Sequence, residues 1–175
     1  AIDEFAQNKK LGKNFNNYVF FLGRENFPSS YLAKDYGYHL GQAQVVFDNT
    51  AQHAGAATIV ATGAMLHQAL EAAYLLEQKK CGVIVVNPSC INHPDINTIR
   101  TCLRNTRGKL ITVEDHQVKG GMGAILAHEL SLASLDFDLI SIGVRGEFGQ
   151  SAYNAIDLYR KHGMDAQSIA NAVLT

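Results

Sequence analysis

The chain lacks most of the features that announce a specialised environment. Its longest apolar runs fall far short of the ~20 residues that span a bilayer, so no membrane-crossing helix is expected. It has no block of like charge and no low-complexity tail. Lys plus Arg number 15 and Asp plus Glu 16, for a net charge of -1. That balance argues against a nucleic-acid surface or a face for anionic lipid. The opening AIDEFAQNKK has no apolar signal-peptide core, so nothing directs export. There are three cysteines, Cys81, Cys90 and Cys102, an odd number with no CxxC spacing. Neither a disulfide framework nor a structural zinc site is expected, and a reduced, cytoplasmic setting fits best. A GxSxG elbow and a Walker loop are both missing.

What is present reads as alternating strands and helices. The 175 residues suit one domain or one domain plus a fragment. Ile2 to Lys10 has the pattern of one or two helical turns, and YVFFL at Tyr18–Leu22 reads as a buried strand. The 17 residues GRENFPSSYLAKDYGYH that follow have no steady period, which is long for a loop inside a compact domain. A boundary is therefore placed at residue 38, with residues 1–38 the tail of something else and 39–175 a separate domain. The missing initiator Met and the start inside a helical pattern suggest a fragment.

Past the boundary, strands are expected at Gln44–Phe47, Thr58–Ala61, Gly82–Asn87, Leu110–Val113 and Leu139–Val144. Met65–Gln78 is the clearest helix, with Leu66, Ala69, Leu70, Ala73 and Leu76 on one stripe. Pro94 suits the first position of a second helix that carries Ile96, Ile99 and Leu103. A third helix covers 122–133. Ser151 is expected to cap a fourth with Ala152, Ile156 and Tyr159, and Gly163 to end it in a left-handed turn. Asp165 caps a last one. This order implies a mostly parallel sheet covered on both faces, because parallel neighbours need helical crossovers.

The stretch LITVEDHQVKGGMG draws the chemistry to one place. A buried strand ends in Glu114, Asp115 and His116, and Gly120, Gly121 and Gly123 open the next helix. Ligands and partners meet open α/β sheets just past such strand ends. Two carboxylates beside a histidine are able to hold a proton acceptor. Adjacent strand residues point to opposite faces, however, so Glu114 and His116 are expected to share a face while Asp115 faces away. The preferred reading is a polar cluster that pins an interface or satisfies loop N–H groups; proton handling stays open. Gly121-x-Gly123 resembles the start of a dinucleotide fingerprint, but Leu126 stands at the third glycine position. Close helix–sheet approach, or a positive φ, is the preferred reason for these glycines. His39, His53, His67, His93, His128 and His162 are scattered and read as solvated or hydrogen-bonded. Arg24, directly after a strand, has the fork to grip a phosphate or carboxylate.

The blocks TVEDH with GGMG, TIVATGAMLHQALEAAYLLE, YHLGQAQVV and GEFGQSAYNAIDLYRKHGMD closely resemble, in order and spacing, the C-terminal domain of transketolase. The resemblance runs from about Tyr18 to Leu174, and residues 1–38 are similar to the end of the preceding pyrimidine-binding domain. It implies a three-layer α/β/α fold with a five-stranded mixed sheet of order 1-3-2-4-5, the first strand antiparallel. It also implies a homodimeric enzyme that moves a two-carbon ketol unit between sugar phosphates, using thiamine diphosphate and a divalent cation such as Mg. The family's cofactor motif begins Gly-Asp-Gly, which this chain lacks, and Asn16-Asn17 has nothing upstream to pair with. No catalytic, cofactor or metal residue is therefore expected here, and the chain alone is expected to be inactive. Only Arg24 carries over, as the arginine that binds the substrate phosphate. Deoxyxylulose-phosphate synthases and the beta chains of 2-oxo acid dehydrogenases share this domain, although TVEDH favours transketolase. A free-standing ligand-binding or regulatory module is the reading from another class.

Overall fold

The computed structural model describes residues 2–12, 19 and 39–175. The expected strand at Tyr18–Leu22, save for Val19, lies outside the described residues, as do Arg24 and the boundary at residue 38. The elements in chain order are α1 (Ile2–Lys10), β1 (Gln44–Asp48), β2 (Gly55–Ala61), α2 (Met65–Gln78), β3 (Gly82–Asn87) and α3 (Ile96–Asn105). There follow β4 (Lys109–Gln117), α4 (Met122–Leu132), β5 (Asp138–Val144), α5 (Ala155–Lys161) and α6 (Ala166–Leu174).

The sheet has five strands in the order β1-β3-β2-β4-β5. β1 runs antiparallel to β3, with Gln44 opposite Asn87. The other neighbours are parallel, with Thr58 paired to both Ile84 and Leu110, and Leu110 to Leu139. Strand alternation divides the core. Ala57, Ile59 and Ala61 of β2, Val83 and Val85 of β3, and Ile111 and Val113 of β4 face α2 and α6. Val60, Ile84, Val86 and Leu110 face α3 and α4 through Ile99, Leu103, Met122, Leu126 and Leu130. This is a three-layer α/β/α sandwich. It explains why GVIVVN is apolar almost throughout: its side chains are covered from both sides.

α2 owes its place to its stripe. Met65, Leu66, Ala69, Leu70, Ala72, Ala73 and Leu76 are all buried, and the alanines let α6 and β3 approach closely. Fully burying a side chain such as Leu76 contributes about 1.5–3 kcal/mol. Two helix starts differ from expectation. Pro94 lies before the helix; Asp95 is the N-cap of α3, and its carboxylate accepts from the Thr98 amide at 3.2 Å. The other carboxylate oxygen accepts from the Thr98 hydroxyl at 2.6 Å and the Ala43 amide at 3.2 Å, tying the chain entering β1 to α3. Asn154, not Ser151, caps α5, accepting from the Asp157 amide at 3.1 Å, so Ala152 lies outside that helix. Gly163 does adopt the left-handed conformation, at φ 66°. Asp165 holds the N-cap position of α6, but its carboxylate accepts from the Ser168 hydroxyl instead of a backbone amide.

Candidate functional site

The apolar run of β4 carries straight into a charged residue that stays inside. Glu114 is only 2% exposed, the one charged side chain among the buried described residues. Its Oε2 accepts from the Met122 amide at 2.6 Å and its Oε1 from the Gly123 amide at 2.9 Å. These are first-turn amides of α4, which have no acceptor inside their own helix. The N-cap residue Gly121 has no side chain to offer them. A strand residue thus caps the helix that follows it, and the positive end of the helix dipole meets a negative charge. Hydrogen bonds to a charged group contribute about 1.5–3 kcal/mol each, which offsets the cost of taking the carboxylate out of water.

The glycines make room for this contact. A Cβ on Gly121 would sit 2.1 Å from Glu114 Oε2, and one on Gly123 would sit 2.4 Å from the Thr112 hydroxyl. Gly121 has φ -83°, so the alternative reason of a left-handed backbone does not apply to it; Gly120 is the residue with positive φ, at 79°. The amide donors that a bound phosphate would use at this helix start are already taken by Glu114.

Glu114 and His116, expected to share a face of the strand, differ in burial. Glu114 is buried, whereas Asp115 and His116 are both exposed. The sheet register is regular only as far as Val113, and past it β4 pairs irregularly with β5. No ion pair joins Asp115 to His116 among the described residues, and the His116 Nδ1 lies 3.2 Å from the Gln117 carbonyl. The tip therefore holds no assembled triad.

Gln117 fastens the loop after β5 to this tip. Its Oε1 accepts from the Gly146 amide at 2.8 Å, and its Nε2 donates to the Glu147 carbonyl at 3.2 Å. That loop presents Phe148 at 95% exposure and Tyr153 at 102%. Two aromatic rings wholly in water are unusual for a finished surface. Neither Gln117 nor these rings was singled out from the sequence; the pair GEFG and SAYN, aromatics embedded in a glycine-punctuated polar loop, was the available signal.

Two cysteines are quiet. Burial pushes the Cys102 thiol up to about 11, helped by the negative charge of Asp48. Burial also raises Cys81, against the opposing charge of Lys109. Among the described residues no group of three or more His, Cys, Asp or Glu is placed to hold a metal ion, and no helix is long and apolar enough to cross a membrane.

The family described as Transketolase, C-terminal domain matches residues 49–169. The chain is 32% identical over 137 residues to the transketolase of Rattus norvegicus, covering 78% of this chain and 21% of that protein. It is 30% identical over 157 residues to one of the subunits of an apulose-4-phosphate transketolase from Phocaeicola vulgatus, covering 87% of this chain and 46% of that one. A solved structure of a split-gene transketolase, an inactive beta4 tetramer, superposes with a TM-score of 0.74 at 30% identity, over 87% of this chain and 47% of that chain. The chain thus spans less than half the length of these relatives. With sheet order, matched residues and identity all in agreement, the chain belongs to the transketolase C-terminal domain family.

Proposed function

We propose that this chain is the C-terminal part of a thiamine-diphosphate-dependent transketolase that transfers a two-carbon ketol unit between sugar phosphates. Residues 39–175 form the C-terminal domain, and residues 1–38 are the end of the preceding pyrimidine-binding domain. The domain docks; it does not perform the chemistry. It holds the remaining transketolase domains or their separate chain together in a cytoplasmic homodimer. Arg24 grips the phosphate of the sugar in the complete enzyme.

The observation that carries this reading is the division of labour at the end of β4. Glu114 is committed to an internal cap, while Asp115, His116, Phe148 and Tyr153 are offered outward on one fastened edge. Aromatic side chains are enriched in the buried centres of interfaces. The described residues do not fit a diphosphate and its cation. They supply no acidic or imidazole cluster for a metal, and the α4 amides are filled. The cofactor and Mg accordingly belong to the other domains, and no catalytic step is assigned to this domain.

The test combines this chain with the missing domains of a transketolase. The complex is expected to bind thiamine diphosphate and turn over sugar phosphates, and Phe148→Ser with Tyr153→Ser is expected to weaken assembly at least tenfold while leaving the melting of the isolated chain unchanged. A magnesium-dependent, micromolar thiamine diphosphate site on the isolated chain would overturn the proposal. So would full assembly of the double variant, for the docking edge.

A further inference from the structure

At the opposite end of strands β4 and β5, a second site has no part in the docking reading. A pocket of about 200 Å³ opens where α3 turns into β4, lined by Arg100, Leu103, Arg104, Arg107, Leu135 and Asp136 with the backbone of Gly108. That is smaller than the roughly 300–1,000 Å³ of sites for larger organic ligands, so an occupant must be small. We infer that this pocket binds a small dianionic phosphomonoester, held by the guanidinium groups of Arg100, Arg104 and Arg107.

Three arginines and a single aspartate line the pocket in a chain whose overall charge is -1. Arg100 and Arg104 stand at i and i+4 on α3, where like charges destabilise a helix. Arg100 donates to the Asn97 side chain at 3.3 Å, and no ion pair involves Arg100, Arg104, Arg107 or Asp136 among the described residues. The helix dipole accounts for Arg104, the one basic residue in the last turn, and favours Arg107 just past it, but not Arg100 a turn earlier. The nearby Lys109 is occupied, donating to the Val173 carbonyl at 2.9 Å.

The backbone fixes where Arg107 stands: it takes a left-handed conformation at φ 55° as the residue past the α3 C-cap, and the Gly108 amide donates to the Leu103 carbonyl at 2.9 Å, the same ending that α2 and α4 use at Lys80 and Ser134. Leu103 and Leu135 give the pocket an apolar wall beside its charged rim, which suits a phosphate on a short organic stem better than the bare ion. Two charges fit the count: three guanidiniums against Asp136 leave an excess that a phosphate dianion neutralises. Planar forks are the matching donors for its oxygens.

The test is a titration of the folded chain, followed by amide NMR at fixed ionic strength, with inorganic phosphate, glycerol 2-phosphate and succinate. Glycerol 2-phosphate is expected to saturate at millimolar concentration or below and to move the amides of Arg107, Gly108 and Asp136. Inorganic phosphate is expected to bind more weakly and succinate weakest. Arg104→Ala with Arg107→Ala should weaken binding about 5- to 10-fold or more per guanidinium removed. Lys79→Ala with Lys80→Ala, the same charge change elsewhere, should leave it intact. If the arginine double variant melts abnormally, Arg104→Lys with Arg107→Lys replaces it, and affinity is still expected to fall because the forks are lost. Absence of saturation, equal loss in the lysine control, or succinate binding as tightly as the phosphomonoester would overturn the inference.

Discussion

Glu114→Gln is the most informative single change, because it keeps the shape of the side chain and removes only its charge. In the parent, both oxygens accept from α4 amides, at 2.6 and 2.9 Å. A glutamine has one oxygen and one NH2 group, so one amide gains a neutral acceptor and the other meets a donor. Two charge-assisted bonds at about 1.5–3 kcal/mol each give a gross loss of roughly 3–6 kcal/mol. One neutral bond, worth about 1 kcal/mol, is regained, and the buried ion's desolvation cost disappears. The net loss is expected to be roughly 2–4 kcal/mol, partly from the amide left unpaired. For a chain of this length, that lowers Tm by roughly 5–15 °C. Urea unfolding of the isolated chain gives the free energy and a thermal melt the shift. Asp115→Asn, a neighbouring exposed carboxylate, is the control and should stay within about 0.5 kcal/mol of the parent. If Glu114→Gln also stays within that margin, the capping account is wrong.

Further changes probe other parts of the same logic. Gly121→Ala places a Cβ 2.1 Å from Glu114 Oε2 and 2.5 Å from the Gln117 carbonyl and should cost about 1–3 kcal/mol; a Glu114→Ala background relieves only the first contact, so the cost should shrink but not vanish, and strictly additive losses would contradict this. Burial tends to raise the Asp95 carboxyl, but its hydrogen bonds with Thr98, Ala43 and Asn97 outweigh that and hold it below its ordinary value. Its contribution is therefore present at neutral pH and lost as pH falls below about 4. Asp95→Asn should lie closer to the parent in stability at pH 3 than at pH 7, and the reverse order would refute the assignment. Cys102, buried and held as a thiol, should resist alkylation at pH 8 until the chain unfolds, so rapid labelling of the native protein would count against the packing described. In the complete enzyme, Arg24→Ala is expected to lower kcat/KM for phosphorylated substrates by roughly 10- to 100-fold. Equal slowing of unphosphorylated substrates would make Arg24 structural.

Much of the fold was legible because its signals are local. The α2 stripe repeats with the helical period over four turns, and GVIVVN has no polar residue before its end, so both were bounded to the residue. Helix starts were less secure, because Pro94 and Asp95, or Ser151 and Asn154, are competing start signals within a few positions. Where the loop lays its backbone decides between them, and single-sequence chemistry does not carry that. The role of Glu114 was hidden for a different reason. The tip reads as a cluster that pins an interface or satisfies loop N–H groups, and nothing local says that Glu114 alone of the three turns inward. Its partners lie eight and nine residues on, beyond any local pattern. The trace it leaves is negative: glycines at positions 121 and 123, where a side chain would fill the space of the carboxylate and of Thr112. The arginine pocket is assembled from α3, the turn into β4 and the α4–β5 loop, so no single stretch announces it.

The inward carboxylate also changes how the domain can come apart. The opening turn of a helix normally frays first, since its amides have no partner and swap their hydrogens with water almost freely. In this domain the Met122 and Gly123 amides are bound to a side chain of β4, a strand with neighbours on both sides in the sheet. They can open only if the strand end moves or if a buried negative charge is left alone. The start of α4 therefore cannot loosen by itself. Deuterium should enter Met122 and Gly123 as slowly as it enters the middle of β4, making strand and helix one cooperative unit from which the outer loop at Phe148 and Tyr153 hangs.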